Sequence, residues 1–295
     1  MSGPLVRRRW LLLTAVAAAA LPARAQDAPD PRLVAAAGNG ALAYVITGDP
    51  AVDEASQLGL TGLTDALSQR TTVEPGPPVA VALDEDDLSL LTFLYWPVTP
   101  DQPVPTPQAY ARLNRFLRTG GMILFDTRDG DLAGAGGPDG TADLRRLAAP
   151  LDIPALAPVP QDHVLTRSFY LLDEFPGRWQ GTPVWVEAPR VEDVAGEGFA
   201  PSNDGVSPVV IGSNSWAEAW AVNDAGLPAY AIGRGYEGDR QREMALRFGI
   251  NLVMYALSGN YKSDQVHVPE LLERLGRESG DRGAFPPRAP GQVLR

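Results

Sequence analysis

Acidic side chains and one basic side chain follow directly on a short apolar run in this 295-residue sequence. The run "GGMILF" leads into "DTRDGD", where Asp126, Asp129 and Asp131 surround Arg128. Carboxylates of this kind are the ligands that Ca²⁺ and Mg²⁺ prefer. However, calcium loops of the EF-hand type need acids at a spacing that this segment lacks, and a cation lies among the acids. We therefore expect Arg128 to pair with a carboxylate, and we expect no bound metal.

A second polar segment, "IGSNSW", offers Ser213 and Ser215 as nucleophiles. A nucleophile elbow has the pattern G-x-S-x-G because its glycines allow a tight turn, whereas here a tryptophan replaces the second glycine. A serine nucleophile also needs a base, and the sequence contains two histidines, His163 and His267. Because a lone histidine is more often structural, we expect Ser213 and Asn214 to be polar turn residues.

Paired carboxylates for glycoside hydrolysis are another option, with candidates among Asp126, Asp173, Glu174 and Glu187. The segment "FYLLDEFPGRW" has the acids and aromatic residues of a sugar or peptide groove, although it is also typical of a small apolar cluster under a loop. The sequence has no G-x-x-x-x-G-K-[ST] phosphate loop. It has no cysteine either, which excludes thiolate nucleophiles and thiolate metal sites. We expect no cofactor.

Strands and helices alternate around these segments. Apolar runs predict strands at 42–46, 79–83, 90–95, 122–125 and 209–212. Strands that are apolar on both faces and alternate with helices are typical of a mostly parallel sheet between two helical layers. We therefore predict a three-layer α/β/α fold.

Three helices are clearly marked. The first follows Asp53 and contains Gly59 and Gly62, each of which costs about 1 kcal/mol in a helix, so we expect close packing against the sheet there. The second has Thr106 as its N-cap and a proline at its first position. The third is predicted over 239–257, with a glycine shortly after its end and a separate short helix "VPELLERLG" beyond it.

Ligands of a parallel α/β sheet bind beyond the carboxyl ends of its strands. We therefore expect one polar rim that binds a ligand, formed by the residues at these ends: Asp49, Trp96, Asp126, Arg128, Ser213 and Asn214.

The N-terminal segment has the pattern of an export signal. Three arginines precede a dozen or so apolar residues, which are too few to span a bilayer, and "ARA" then supplies a small-x-small cleavage site. We predict a cleaved signal at 1–25, export to the periplasm by the Sec or Tat route, and no stable membrane insertion afterwards. Cleavage would change the net charge from −11 to −15, which argues against nucleic acid as a partner.

The remaining chain is predicted to hold one domain. We expect a linker at 26–32, a single α/β domain over 33–276, and a disordered tail at 277–295. Within the domain, residues 150–208 are rich in proline and acid and are predicted to form a loop-rich insertion.

Five blocks in order give the chain a family resemblance: "LTGLTDALSQRT", "FLYWPVTP", "GGMILFDTRDG", "SFYLLDEFPGRW" and "FGINLVMYALSGNYKSDQVHVPELLERL". Together they resemble the bacterial domain-of-unknown-function 4159 family. The resemblance implies a flavodoxin-like, class I amidotransferase-like fold but no reaction. It also implies partners of the Bat aerotolerance, MoxR-type ATPase and von Willebrand A types, although we expect this chain to lack the membrane region of the larger relatives.

These observations favour an exported, non-catalytic binding or assembly module of the cell envelope. The acidic composition, the missing cysteine nucleophile and the family context all point this way. The alternative is a periplasmic hydrolase of glycans or esters that uses strand-end carboxylates or a serine.

Overall fold

The computed structural model describes residues 30–131, 140–188 and 206–280, and for 259–280 it describes the backbone alone. The strands are β1 (Ala43–Val45), β2 (Val79–Val81), β3 (Phe93–Pro97), β4 (Met122–Asp126), β5 (Leu156–Pro158), β6 (Trp185–Glu187) and β7 (Val209–Gly212). The helices are α1 (Pro31–Gly38), α2 (Pro50–Arg70), α3 (Pro107–Arg118), α4 (Thr141–Ala148), α5 (Trp216–Trp220) and α6 (Gly235–Gly280).

The seven strands form one mixed sheet in the order β2-β1-β3-β4-β7-β6-β5. The first five in this order are parallel, whereas β6 and β5 join antiparallel beside β7. Numbered along the chain, the parallel strands have the order 2-1-3-4-5, which is that of flavodoxin-like sheets. One face packs against α2, α5 and α6, and the other against α1, α3 and α4. The predicted three-layer fold with a mostly parallel sheet is therefore confirmed.

Local sequence signals agree with most element boundaries. The Thr106 hydroxyl accepts a hydrogen bond from the backbone N–H of Ala109, so it caps α3 as predicted. Strand β3, however, begins at Phe93 and not at Leu90. Leu90 is 46% exposed because it lies in a turn, in which the Leu91 N–H donates to the Leu88 carbonyl.

The segment predicted as a loop-rich insertion, 150–208, adds material to the same sheet. Its described part contains β5, β6 and a short 3-10 helix, Val164–Thr166. Residues 189–205 of this segment lie outside the described ranges. The two antiparallel strands widen the sheet on the side of β7. The connection between β5 and β6 therefore begins and ends beside the carboxyl end of β7.

The two glycines of α2 pack against a helix, and the prediction that they pack on the sheet is wrong. A Cβ atom at Gly59 would lie 2.4 Å from the carbonyl oxygen of Ala217, and one at Gly62 would lie 2.1 Å from that of Trp220. Both carbonyls belong to α5. The close approach of these helices could not be read from the sequence, because α5 is only five residues long and lies far from α2 in the chain.

Helix α6 runs without a break from Gly235 to Gly280. The predicted end at Leu257 and the separate final helix are therefore wrong. The prediction relied on Gly259 as a helix stop, but one glycine costs only about 1 kcal/mol in a helix and need not end it. The start of the predicted disordered tail, 277–280, is part of α6, and the rest lies outside the described residues. No helix in the described ranges is long and apolar enough to cross a membrane.

The contact between α2 and α5 gives a first prediction. We expect Gly59→Ala to lower the free energy of unfolding by at least about 2 kcal/mol, because the new methyl group overlaps backbone atoms of α5. Gly38→Ala in α1 is the control, since a Cβ atom there meets no atom within 4 Å. It should be neutral or stabilising by up to about 1 kcal/mol. Urea denaturation of both variants checks this, and equal effects would contradict the packing.

Candidate functional site

Asp126, the last residue of β4, is fully buried and accepts four hydrogen bonds. Its Oδ2 accepts from the Tyr95 hydroxyl at 3.0 Å and from the Trp216 backbone N–H at 2.7 Å. Its Oδ1 accepts from the backbone N–H groups of Arg128 and Ser215, both at 3.1 Å. Each oxygen therefore has two donors, and the carboxylate joins β3, β4 and the start of α5.

Burial is the main influence on the proton affinity of this carboxyl group. Desolvation raises the pKa of Asp126 to about 6, although its hydrogen bonds and the Arg128 guanidinium favour the charged form. Three of its four donors are backbone N–H groups, which can only donate. The ionised form, which predominates above this pKa, accepts from all four donors, whereas the hydrogen of the protonated form can be accepted only by the Tyr95 hydroxyl.

Two strained backbone positions direct these N–H groups at the carboxylate. Arg128 (φ 62°) and Ser215 (φ 52°) are the non-glycine residues with positive φ in the described part of the chain. Left-handed conformations of such residues cost on the order of 1–2 kcal/mol each. Because both N–H groups bind Asp126, the hydrogen bonds to its carboxylate offset this cost.

A second acid, Glu218 in α5, lies between two arginines. Its carboxylate contacts Arg128 Nη2 at 2.9 Å and Arg178 Nη1 at 2.5 Å, and its side chain is only 10% exposed. The Arg178 guanidinium also stacks 5.2 Å from the Trp179 ring and 5.7 Å from the Tyr230 ring. With Asp126 ionised, two guanidinium groups and two carboxylates balance in charge, so the cluster is a closed polar network.

An internal carboxylate also fills the loop between β1 and α2. Asp53 accepts from the Thr47 backbone N–H and hydroxyl, both at 2.8 Å, and from the Gly48 N–H at 3.3 Å. This loop lies where the strand order reverses between β1 and β3, which is the usual ligand position in flavodoxin-like sheets. Its backbone donors therefore bind the chain's own acid.

Four of the six predicted rim residues lie together at the ends of β4 and β7. Asp126 and Arg128 belong to the network described above. The Ser213 carbonyl accepts from the Gly130 N–H at 2.8 Å, and Asn214 Nδ2 donates to the Phe175 carbonyl at 2.9 Å. Ser213 and Asn214 thus connect the β4 loop to the insertion.

The other two predicted rim residues are placed differently. Asp49 caps α2 at the end of β1, where its carboxylate accepts from the Ala51 N–H at 2.9 Å. Trp96 is fully buried, with its ring 5.0 Å from that of Phe125 and its Nε1 bonded to Gln102 Oε1 at 3.2 Å. Its indole therefore belongs to the core between the sheet and helices α1, α3 and α4, and it is not open to a ligand.

The candidate groups for serine catalysis are separated. Ser215 is 2% exposed, and its hydroxyl donates to the Arg128 carbonyl at 3.3 Å. His163 caps the 3-10 helix, and its ring contacts Tyr255, whose hydroxyl accepts from the Ser207 N–H just before β7 begins. It therefore lies toward the amino end of β7, opposite Ser213. The His267 side chain lies outside the described residues.

Acids of the "DTRDGD" segment are likewise used within the chain. Asp129 accepts from the Thr127 hydroxyl at 2.5 Å and from the Gly140 N–H at 2.6 Å. Across the described ranges, no three acids, histidines or cysteines are grouped so as to hold a metal ion. Asp126 and Asp129 thus organise the loops at this strand end.

Beside the end of β7 the insertion forms a groove of about 600 Å³. Its walls come from the segments 158–159, 173–176 and 180–184. The groove adjoins the strand-end network, because the Thr182 hydroxyl donates to Asn214 Oδ1 and the Phe175 carbonyl accepts from Asn214 Nδ2. The sequence signal for it was the combination of acids and aromatic residues in "FYLLDEFPGRW", part of which lines the groove.

Sequence reasoning missed three members of the network: Tyr95, Arg178 and Glu218. Tyr95 resembled any other apolar strand residue. Glu218 did leave a signal, since it is a lone acid in the apolar segment "WAEAW", and acids are almost never fully buried unless they are paired. Its partners could not be named, because Arg178 lies 40 positions away.

Comparison with known proteins adds the family. The family described as "Domain of unknown function (DUF4159)" matches residues 41–257. The chain belongs to this family. Its match spans every strand and most of the packed helices, which confirms the resemblance predicted from the five sequence blocks. No curated protein matches the chain. The description of the DUF4159 family states no activity.

The four hydrogen bonds of Asp126 give a second prediction. Asp126→Asn should lower the free energy of unfolding by about 3 kcal/mol, because its NH₂ group must face at least one backbone N–H group whichever way the amide is turned. Tyr95→Phe removes a single donor and should cost about 1.5–3 kcal/mol. Chemical denaturation of the two variants checks this order, and a tolerated Asp126→Asn would refute the donor assignment.

The buried carboxyl group gives a third prediction. The Asp126 carboxyl ¹³C resonance should titrate near pH 6, and Tyr95→Phe should raise this pKa further by removing a donor to the charged form. The folded pKa exceeds the usual value, so the contribution of Asp126 to stability is complete below about pH 4. It falls by about 3 kcal/mol as the pH rises from about 4 to just above 6, and changes little beyond that. A midpoint below pH 4 would contradict the effect of burial.

Proposed function

We propose that this protein is an exported, non-catalytic binding or assembly module of the cell envelope. The proposal depends on one observation: the polar groups at the strand ends bind other groups of the chain, whereas the groove beside them is open. Asp126 and Glu218 each have their oxygens bound by groups of the chain itself. A reacting group has to reach its substrate, and these side chains are directed inward.

The backbone amides at the strand ends support the same proposal. N–H groups at such positions stabilise phosphates or oxyanions in many α/β enzymes. Here the N–H groups of Gly48 and Thr47 bind Asp53, and those of Ser215 and Trp216 bind Asp126. A substrate anion would have to displace an acid of the chain from either position, so binding elsewhere is favoured.

The groove of the insertion is the surface that we assign to binding. It lies on a rigid base, because Trp216 Nε1 and Asn214 Nδ2 both donate to the Phe175 carbonyl. Concave sites with an apolar lining and a few polar groups are the usual form of binding pockets. A partner could bind to this groove and leave it without any change in the buried network.

The location and partners in this proposal come from the sequence. Residues 1–25 have the pattern of an export signal, which favours the periplasm. The strongly negative charge of the chain suits a protein that recognises other proteins and not nucleic acid. Envelope proteins of the Bat, MoxR and von Willebrand A types are the partners that the family resemblance suggests.

Photo-cross-linking in living cells tests the proposal. A photoreactive amino acid at Gln180, an exposed groove residue, should form a discrete adduct with an envelope protein. The same amino acid at Asp65, an exposed position on α2, is the control and should not form this adduct.

A hydrolysis assay tests the competing hydrolase. The purified protein should show no activity on ester and glycan panels beyond that of the Ser213→Ala variant. Turnover that Ser213→Ala or Asp173→Asn abolishes, without any groove-specific adduct, would refute the binding module and favour the hydrolase.

A further inference from the structure

The groove has an apolar interior. Val184, which is 2% exposed, and the half-buried Phe175 form its deeper part. The remaining apolar wall comes from Pro158, Val159, Pro176 and Pro183. Prolines fix their own backbone and offer no N–H group, so this wall is stiff and makes contact mainly through apolar surface.

The lip of the groove is acidic. Asp173 and Glu174 are the ionisable residues among those that line it, and both are exposed. Arg240 lies 3.5 Å from Glu174, but both side chains are about half exposed, so this ion pair is weak. The chain as a whole carries a charge of −11, which attracts cationic partners to this lip.

An exposed apolar ridge, Phe169 and Leu171, leads up to the lip. These side chains are 44% and 86% exposed. The ridge is fixed, because the fully buried Asn251 accepts from the Tyr170 N–H at 2.7 Å and donates to the carbonyls of Leu165 and Tyr170 at 2.9 and 2.8 Å. Large apolar side chains held outward beside a groove are typical of protein interaction sites.

A peptide suits this surface better than a sugar. The aromatic ring that lines the groove, Phe175, packs 5.2 Å from Phe248, and the nearby Trp179 ring is covered by the Arg178 guanidinium. The Thr182 hydroxyl already donates to Asn214. Within the groove itself a glycan would therefore find little aromatic surface on which to stack.

We propose that the groove binds an extended peptide segment of a partner protein that contains a lysine or arginine next to apolar residues. The cation meets Asp173 and Glu174, one apolar neighbour enters the groove against Phe175 and Val184, and the segment continues over Leu171. This inference rests on the proposed binding function and adds the chemistry of the partner.

A random hexapeptide library displayed on phage is the probe for the test. Selection on the mature protein should enrich peptides with a basic residue beside apolar ones. The dissociation constant of an enriched peptide, measured by fluorescence polarisation, should rise about tenfold in the double variant Asp173→Asn, Glu174→Gln. Asp65→Asn, with one exposed acid removed on α2, is the control for charge and should bind as the wild type does.

Two further measurements separate charge from shape. Raising the salt concentration from about 0.05 to about 0.5 M should weaken binding by the wild type, because the screening length shortens severalfold, and should affect the double variant less. Pro183→Trp adds bulk at a different exposed groove residue and should weaken binding at either salt concentration. Circular dichroism confirms that the variants are folded.

Several results would overturn the inference. They are the enrichment of no peptide, the enrichment of peptides without basic residues, an unchanged affinity in the double variant, and specific binding of a glycan in the groove. If the Gln180 adduct with an envelope protein persists in any of these cases, the peptide chemistry is wrong and the binding module stands. If the adduct is absent as well, both proposals fail.

Discussion

The hydrogen bonding of one buried carboxylate, Asp126, sets the arrangement at the centre of this molecule. It ends β4, and its donors come from β3, from the loop after β4 and from the start of α5. A buried charge without such partners would be very costly, so these elements have to meet in one way. The strained backbone at Arg128 and Ser215 is tolerated because it completes this set of donors.

The same principle explains why a sheet that is well suited to binding anions directs its donors inward. Asp53 occupies the amides of the β1 loop, and Asp126 occupies those at the start of α5. Two acids of the chain thus take the positions in which related architectures place a phosphate or an oxyanion. Groups of the chain itself therefore fix these loops.

The insertion supplies the groove that we propose for binding. Strands β5 and β6 extend the sheet, and the connection between them is bound to the β7 loop through Asn214 and to α6 through Asn251. The groove walls and the apolar ridge therefore share the rigidity of the core. A preformed surface of this kind loses little conformational entropy when a partner binds, which suits the binding module that we propose.

The sequence by itself determined the layers of the fold and most of the strands, because buried strands and capped helices leave local patterns of apolar residues, proline and glycine. It also placed Asp126, Arg128, Ser213 and Asn214 near one another, since parallel strands end on the same side of the sheet. Only the tertiary structure decided that Trp96 is a core residue, that the α2 glycines meet α5, and that Glu218 binds Arg128 and Arg178. These contacts join segments that are distant in the chain, and their geometry depends on packing that no local pattern encodes.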